Sequence, residues 1–168
     1  MNPISDTPDM KLEEIAVKVN RCATVVKGGK RFSFSALVAV GNRDGIVGWG
    51  FGKANEVPQA VDKAIKDARR RLIRIPITNG TIPYEIHGKW GSSKVIMIPA
   101  APGTGLISGA SVRAVLELAG VHNVLTKAHG STTALNLVKA TYEGLKALKS
   151  IKEIERIRGV RILETATT

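Results

Sequence analysis

The sequence predicts an α+β protein of two small domains, and three observations carry that prediction. The chain has 168 residues, room for one ordinary domain or two small ones with modest cores. Apolar residues alternating at the period of strands give way to apolar residues at helical spacing, once in each half. Between the halves stands Asn79-Gly80, a turn pair that reads as a linker over residues 78–81. The division is residues 1–10 as a polar lead-in, 11–77 and 82–148 as the two domains, and 149–168 as a basic tail.

In the first domain Ile15, Val17 and Val19 alternate with Ala16, Lys18 and Asn20, a half-buried strand running towards Val25 and Val26. Residues 27–31, Lys-Gly-Gly-Lys-Arg, interrupt it as an exposed basic loop. A second strand places Phe32, Phe34, Ala36, Val38 and Val40 on one face, and Gly41 to Gly45 supply turn chemistry. In a third, Val47, Trp49 and Phe51 alternate with Gly48, Gly50 and Gly52, whose bare backbone a helix or a ligand can approach closely. Asn55 is placed to cap a helix with Pro58 in its first turn, where a missing N–H costs nothing. Val57, Val61, Ala64, Ile65, Ala68 and Leu72 form its apolar face and Pro76 ends it, which completes β-β-β-α.

The second domain reads β-β-α-β-α. Two short strands, at 84–88 and 94–99, precede the loop Ala101-Pro102-Gly103-Thr104-Gly105. A helix from about Gly109 buries Val112, Val115, Leu116 and Ala119 and stops at Gly120. Residues 121–127 form a strand, and Ser131 or Thr132 caps a long helix carrying Leu135, Val138, Tyr142, Leu145 and Leu148. Beyond it a short helix and a loose tail are expected.

The charge balance points to a polyanionic partner: 25 Lys and Arg against 14 Asp and Glu leave a net charge of +11 and a pI near 10.1. Residues 11–80 hold 14 basic and 6 acidic side chains, residues 81–148 only 6 and 3, so the first domain is the expected anchor. A single cysteine, Cys22, permits neither an internal disulfide nor a zinc cluster, and fits a reducing compartment. Residues 1–10 lack the pattern of a signal peptide, and no apolar run reaches membrane-spanning length. A cytoplasmic protein with no membrane contact is expected.

Two glycine-rich segments compete for function. In the first, backbone N–H groups of Gly28 and Gly29 with Lys27, Lys30 and Arg31 make a compact site for phosphate, and Arg21 adds to it; the alternative is a solvated hairpin loop. The stripe Lys63, Lys66, Arg70 and Arg74 fits an RNA backbone but also any surface helix, and Trp49 and Phe51 fit core packing under the helix better than base stacking. The second segment, residues 102–110, opens a helix as phosphate-binding loops do. It resembles the loop of small-metabolite kinases. A kinase also needs a metal-binding carboxylate and a nucleotide pocket, whereas this half offers only the isolated Glu85, Glu117 and Glu143. His87, His122 and His129 are scattered, so no catalytic residue, metal, cofactor or small-molecule substrate is expected.

Taken together, Val19-Asn20-Arg21, Val26-Lys27-Gly28-Gly29, Phe32-Ser33-Phe34, Gly50-Phe51-Gly52-Lys53-Ala54, Glu56-Val57-Pro58, Gly103-Thr104-Gly105, Arg113-Ala114-Val115-Leu116-Glu117, Gly120-Val121-His122-Asn123-Val124-Leu125 and Gly130-Ser131-Thr132 resemble bacterial small-subunit ribosomal protein five, in order, over residues 12–148. The resemblance implies a first domain similar to the double-stranded-RNA-binding fold and a second of the ribosomal protein five domain 2-like fold, shared with those kinases. It implies a non-enzymatic constituent of the 30S ribosomal subunit that supports assembly, decoding accuracy and the mRNA entry path. The implied rRNA-binding residues are Arg21, Lys27, Gly28, Gly29, Lys30, Arg31 and Lys53, and the loop at 26–31 is where changes give spectinomycin resistance. The implied partners are rRNA, proteins four and eight, and mRNA near its entry, with Gly103, Thr104, Gly105 and Arg113 facing protein four. Ala101-Pro102 departs from the family pattern of a serine followed by an acidic residue. The rival readings are a small phosphotransferase and a stand-alone RNA-binding regulator.

Overall fold

Two four-stranded sheets and four helices make up the computed structural model, which describes residues 11–160; the lead-in and the last eight residues of the tail lie outside them. The first sheet has the order β1 (Glu13–Val26), β2 (Gly29–Gly41), β3 (Ile46–Ala54), β4 (Ile73–Arg74), antiparallel throughout. Helix α1 (Val57–Arg69) lies between β3 and β4 in sequence. The expected β-β-β-α unit is present, with the two-residue β4 appended to its edge.

Sheet and helix meet here because neither has side chains in the way. Gly48, Gly50 and Gly52 lie against Ala60, Ala64 and Ala68, which recur every four residues on one stripe of α1; a Cβ on Gly50 would collide with the Ala64 carbonyl. The inner stripe is therefore alanine, and Val57, expected inside, is exposed. The N-cap is Glu56 rather than Asn55 and makes no side-chain cap bond, while Pro58 sits in the first turn as expected. Ala36, Val38 and Val40 of β2 complete this small core.

Trp49 occupies the opposite face of the sheet. The reading of Trp49 and Phe51 as packed under the helix is thus corrected in side and kept in substance: Trp49 is buried, against the second domain. Leu37, Ala39, Val47 and Trp49 join one continuous core with Val115, Leu118 and Tyr142. Strand β2, which the sequence predicts, is buried on both faces from Ala36 to Gly41: Ala36, Val38 and Val40 face α1, and Leu37 and Ala39 face the second domain.

The second sheet has the order β5 (Ile86–Trp90), β6 (Ser93–Pro99), β8 (Val124–Gly130), β7 (Leu106–Ile107), with β7 parallel to β8. Helix α2 (Ala110–Ala119) ends at Gly120 in the left-handed conformation (φ 86°), as the sequence predicts. Helix α3 (Ala134–Ala147) lies so close to β5 that Gly88 contacts the Ala140 backbone. Its N-cap is Thr133, not Ser131 or Thr132. Helices α2 and α3 fill the space between the sheets, so the layers run α1, first sheet, α2 with α3, second sheet. Helix α4 (Ile151–Arg158) is the short helix expected in the tail, and Ser150 Oγ caps it by accepting from Glu153 N.

The junction is a turn rather than a tether. Asn79 (φ 51°) and Gly80 (φ 72°) form a tight bend closed by paired bonds between Thr78 and Thr81. The Gly80 carbonyl accepts from the backbone N–H groups of His122 and Asn123, which fixes the turn to the second domain.

Candidate nucleic-acid interface

Strands β1 and β2 outrun the rest of their sheet. Their pairing extends from Arg21↔Phe34 to Val26↔Gly29, whereas β3 pairs with β2 no further than Phe34↔Ala54. The surplus is a two-stranded arm about 17 Å long, at ~3.4 Å per residue. Residues 21–32 are all exposed.

The expected basic loop is tighter than it reads. Only Lys27 and Gly28 form the turn; Lys30 and Arg31 belong to β2, paired with Val25 and Thr24. Gly29 (φ 137°) has a backbone conformation that a side chain would strain, whereas Gly28 does not and has open space beside it. Residues opposite one another in an antiparallel pair share a face, and this separates the cations. Arg21 and Lys30 lie on the face continuous with the α1 side, together with Ala23, Val25 and Phe32. Arg31 lies on the other, with Cys22, Thr24 and Ser33.

Lys53 shares the Arg31 face further down, paired with Ser35, and its Nζ sits 5.7 Å from the Phe51 ring. The seven sequence-predicted residues are thus gathered on one arm and its root, but as two charged faces and a tip rather than a single patch. The stripe of Lys63, Lys66, Arg70 and Arg74 does not hold together: α1 ends at Arg69 and Arg74 lies in β4.

At the second glycine-rich segment hydrogen bonding within the protein weakens the phosphate-loop likeness. Asn123 Oδ1 accepts from Gly103 N at 3.1 Å and from Gly105 N at 3.0 Å, so two of the loop N–H groups a phosphate would use are already engaged, which leaves the uncapped first turn of α2. Gly103 (φ 92°) and Gly105 (φ 76°) serve the backbone conformation, since added Cβ atoms would meet nothing. Asn123, twenty residues away from Gly103, escaped the sequence reading as a functional residue. Arg113 is exposed on α2, as expected, and donates from Nη2 to the Leu106 carbonyl at 3.3 Å. Beside it Arg43 bridges Glu13 (2.7 Å) and Glu117 (3.3 Å), tying the β2–β3 turn to both β1 and α2. Among the described residues no group of His, Cys, Asp and Glu is placed to hold a metal ion, and no helix is long and apolar enough to cross a membrane.

Comparison with known proteins decides the family. Residues 12–76 match the model of the ribosomal protein S5 N-terminal domain, and residues 88–158 that of the ribosomal protein S5 C-terminal domain. The chain belongs to the ribosomal protein S5 family. It is similar to the small ribosomal subunit protein uS5 of Rhodopirellula baltica, with 51% identity over 86% of this chain and 81% of that protein. The uS5 of Syntrophobacter fumaroxidans is 46% identical over 95% and 96%, and that of Thermotoga neapolitana 49% over 92% and 86%. An S5-family chain is a structural constituent of the small ribosomal subunit, an RNA-binding part of a cytoplasmic ribonucleoprotein engaged in translation, and not an enzyme. The expectation of a non-enzyme therefore stands on family membership, and the occupied Gly103–Gly105 amides agree with it.

Proposed function

We propose that this chain anchors itself to small-subunit rRNA through the β1–β2 arm, with Arg21, Lys27, Lys30, Arg31 and Lys53 neutralising phosphates and the Gly28-Gly29 backbone fitting close to one of them. The supporting observation is the arm itself: a two-stranded ribbon outside either core that carries four of these cations, with no acidic residue between Arg21 and Phe34. An arm with cations on both faces suits insertion between RNA segments better than attachment to one. In this reading residues 11–77 form the RNA-binding domain, 78–81 the connecting turn, 82–148 a domain for protein contacts, and 149–168 the tail.

The Gly103–Gly105 loop and Arg113 form the face for protein four, and protein eight and the mRNA entry path complete the surroundings. The mechanism is positional. By fixing rRNA strands near the decoding region the chain biases a conformational equilibrium, and so influences accuracy without making or breaking a bond.

The test is the double variant Lys27→Glu, Lys30→Glu. Each phosphate contact contributes roughly 0.7–0.9 to the slope of log affinity against log salt, so binding to an rRNA fragment should lose about 1.5 of slope. Incorporation into subunits should fall or the response to spectinomycin change. An unchanged slope with unchanged assembly and drug response would overturn the proposal.

A further inference from the structure

The arm shows apolar and aromatic surface that charge neutralisation alone has no use for. Phe32 is 48% exposed and Val25 74%, on a ribbon with no core beneath it. Both lie on the same face as Arg21 and Lys30. Arg21 is opposite Phe34 and Phe32 is opposite Ala23, so Arg21 and Phe32 are diagonal neighbours; the guanidinium lies over the Phe32 ring, 3.9 Å from its centroid. The far face, with Cys22, Thr24, Val26, Arg31 and Ser33, carries hydroxyls, one aliphatic side chain and a cation but no ring.

This asymmetry matches the two parts of an RNA strand. Phosphates require cations and hydrogen-bond donors, which both faces have. An unstacked base requires a flat, weakly hydrated surface, and single-stranded RNA is held by stacking on aromatic rings or on guanidinium planes. A guanidinium already resting on a ring offers such a plane with its orientation set. Trp90, the other exposed aromatic with a cation over it, is different: its Lys139 also sits 5.1 Å from the buried Trp49, a tie within the protein.

We infer that the Arg21–Phe32 pair is a stacking platform for an unpaired rRNA nucleobase, with Lys30 at that nucleotide's phosphate and Val25 against its sugar or base edge. The inference rests on the RNA-binding reading of the arm and adds what one of its faces recognises. An acidic protein surface would be met by the charges alone and would leave Phe32 and Val25 without a role.

The experiment uses subunits reconstituted from small-subunit rRNA, the other ribosomal proteins and this chain, probed in two ways. Hydroxyl-radical cleavage reports the backbone footprint of the arm, and acylation of 2′-hydroxyls reports whether an unpaired nucleotide inside that footprint is held still. Phe32→Leu and Arg21→Lys keep size or charge but remove the ring or the plane. Each should raise acylation at one unpaired nucleotide at least about fivefold, the lower end for loss of one base–aromatic stack, while leaving the backbone footprint in place. Phe32→Tyr should restore the wild-type pattern. Unchanged acylation in both variants, or a change only at paired nucleotides, would overturn the platform. A wild-type subunit with no backbone footprint at the arm would overturn the RNA-binding reading itself, a result distinguishable from loss of the platform alone.

Discussion

A Cβ built on Gly50 would run into the carbonyl of Ala64 and the amide of Ala68, backbone atoms that cannot rotate aside. At Gly28 the same atom would meet nothing, and no left-handed backbone stands in its way. Two glycines of one motif-rich segment thus have opposite sensitivities, one set by packing and the other by nothing in the isolated protein. Forcing α1 off the sheet counts as overpacking, worth typically about 1–3 kcal/mol. In a chain of this size that corresponds to a fall in Tm of roughly 2–12 °C. Gly50→Ala should show such a fall by calorimetry, while Gly28→Ala should melt within about 1 °C of wild type. A Gly50→Ala protein as stable as wild type would mean that the helix is free to slide, and the fit of Ala60, Ala64 and Ala68 against β3 would lose its explanation.

Among the elements, legibility followed length and one-sidedness. Helices α2 and α3 each run ten residues or more with a regular apolar pattern, and the sequence places their inward residues well, whereas a bulge between Ala16 and Lys18 in β1 turns Val19 to the opposite face from Ile15 and leaves it exposed. Strands β4 and β7 have two residues each, too few for any period to emerge. The side of Trp49 was missed for a different reason: the glycines of β3 mark the face that a helix approaches, but with β3 buried on both faces nothing in the alternation tells that a second domain covers the Trp49 face. The arm's cations were legible as residues but not as geometry, because their division between faces depends on the register of β1 with β2. The glycine loop at 103–105 shows the same limit, since its function turns on Asn123, whose carboxamide arrives with β8. With the Gly103 and Gly105 amides engaged there, a nucleotide would be left with the first amides of α2 alone, and no cluster of carboxylates among the described residues stands ready for its metal ion. Calorimetric titration of the intact protein with ATP and magnesium should therefore show no stoichiometric, saturable heat. Weak binding that disappears in moderate salt agrees with this, because +11 attracts any polyphosphate. One-to-one binding abolished by a Gly105 substitution would reinstate the kinase rival.

At the scale of the whole molecule the two sheets share one core, and Tyr142 joins them at its edge. Its ring meets Trp49 edge-on at 6.4 Å, and its hydroxyl donates to the Arg71 carbonyl at 2.9 Å, joining α3 to the segment that follows α1. A joint of this kind predicts unfolding in one cooperative transition, with both domains lost together. Burial raises the pKa of Tyr142 above its ordinary value near 10, Glu143 adds to the rise, and Arg71 opposes it. A raised folded-state value means that the neutral phenol is the form the fold favours. Its contribution is complete below the unfolded value of about 10 and declines as pH climbs through the folded one. Tyr142→Phe removes both the hydrogen bond and the titration. At pH 7 it should lower stability by about 1 kcal/mol, the usual net worth of such a bond, with tryptophan fluorescence and far-ultraviolet circular dichroism still reporting a single transition in urea. Above pH 10 the gap between wild type and variant should narrow, because only the wild type loses stability by ionising this phenol. A gap that stays constant from pH 7 to 11 would mean that Tyr142 ionises equally in both states, and two separate transitions in the wild type would mean that the shared core does not couple the domains.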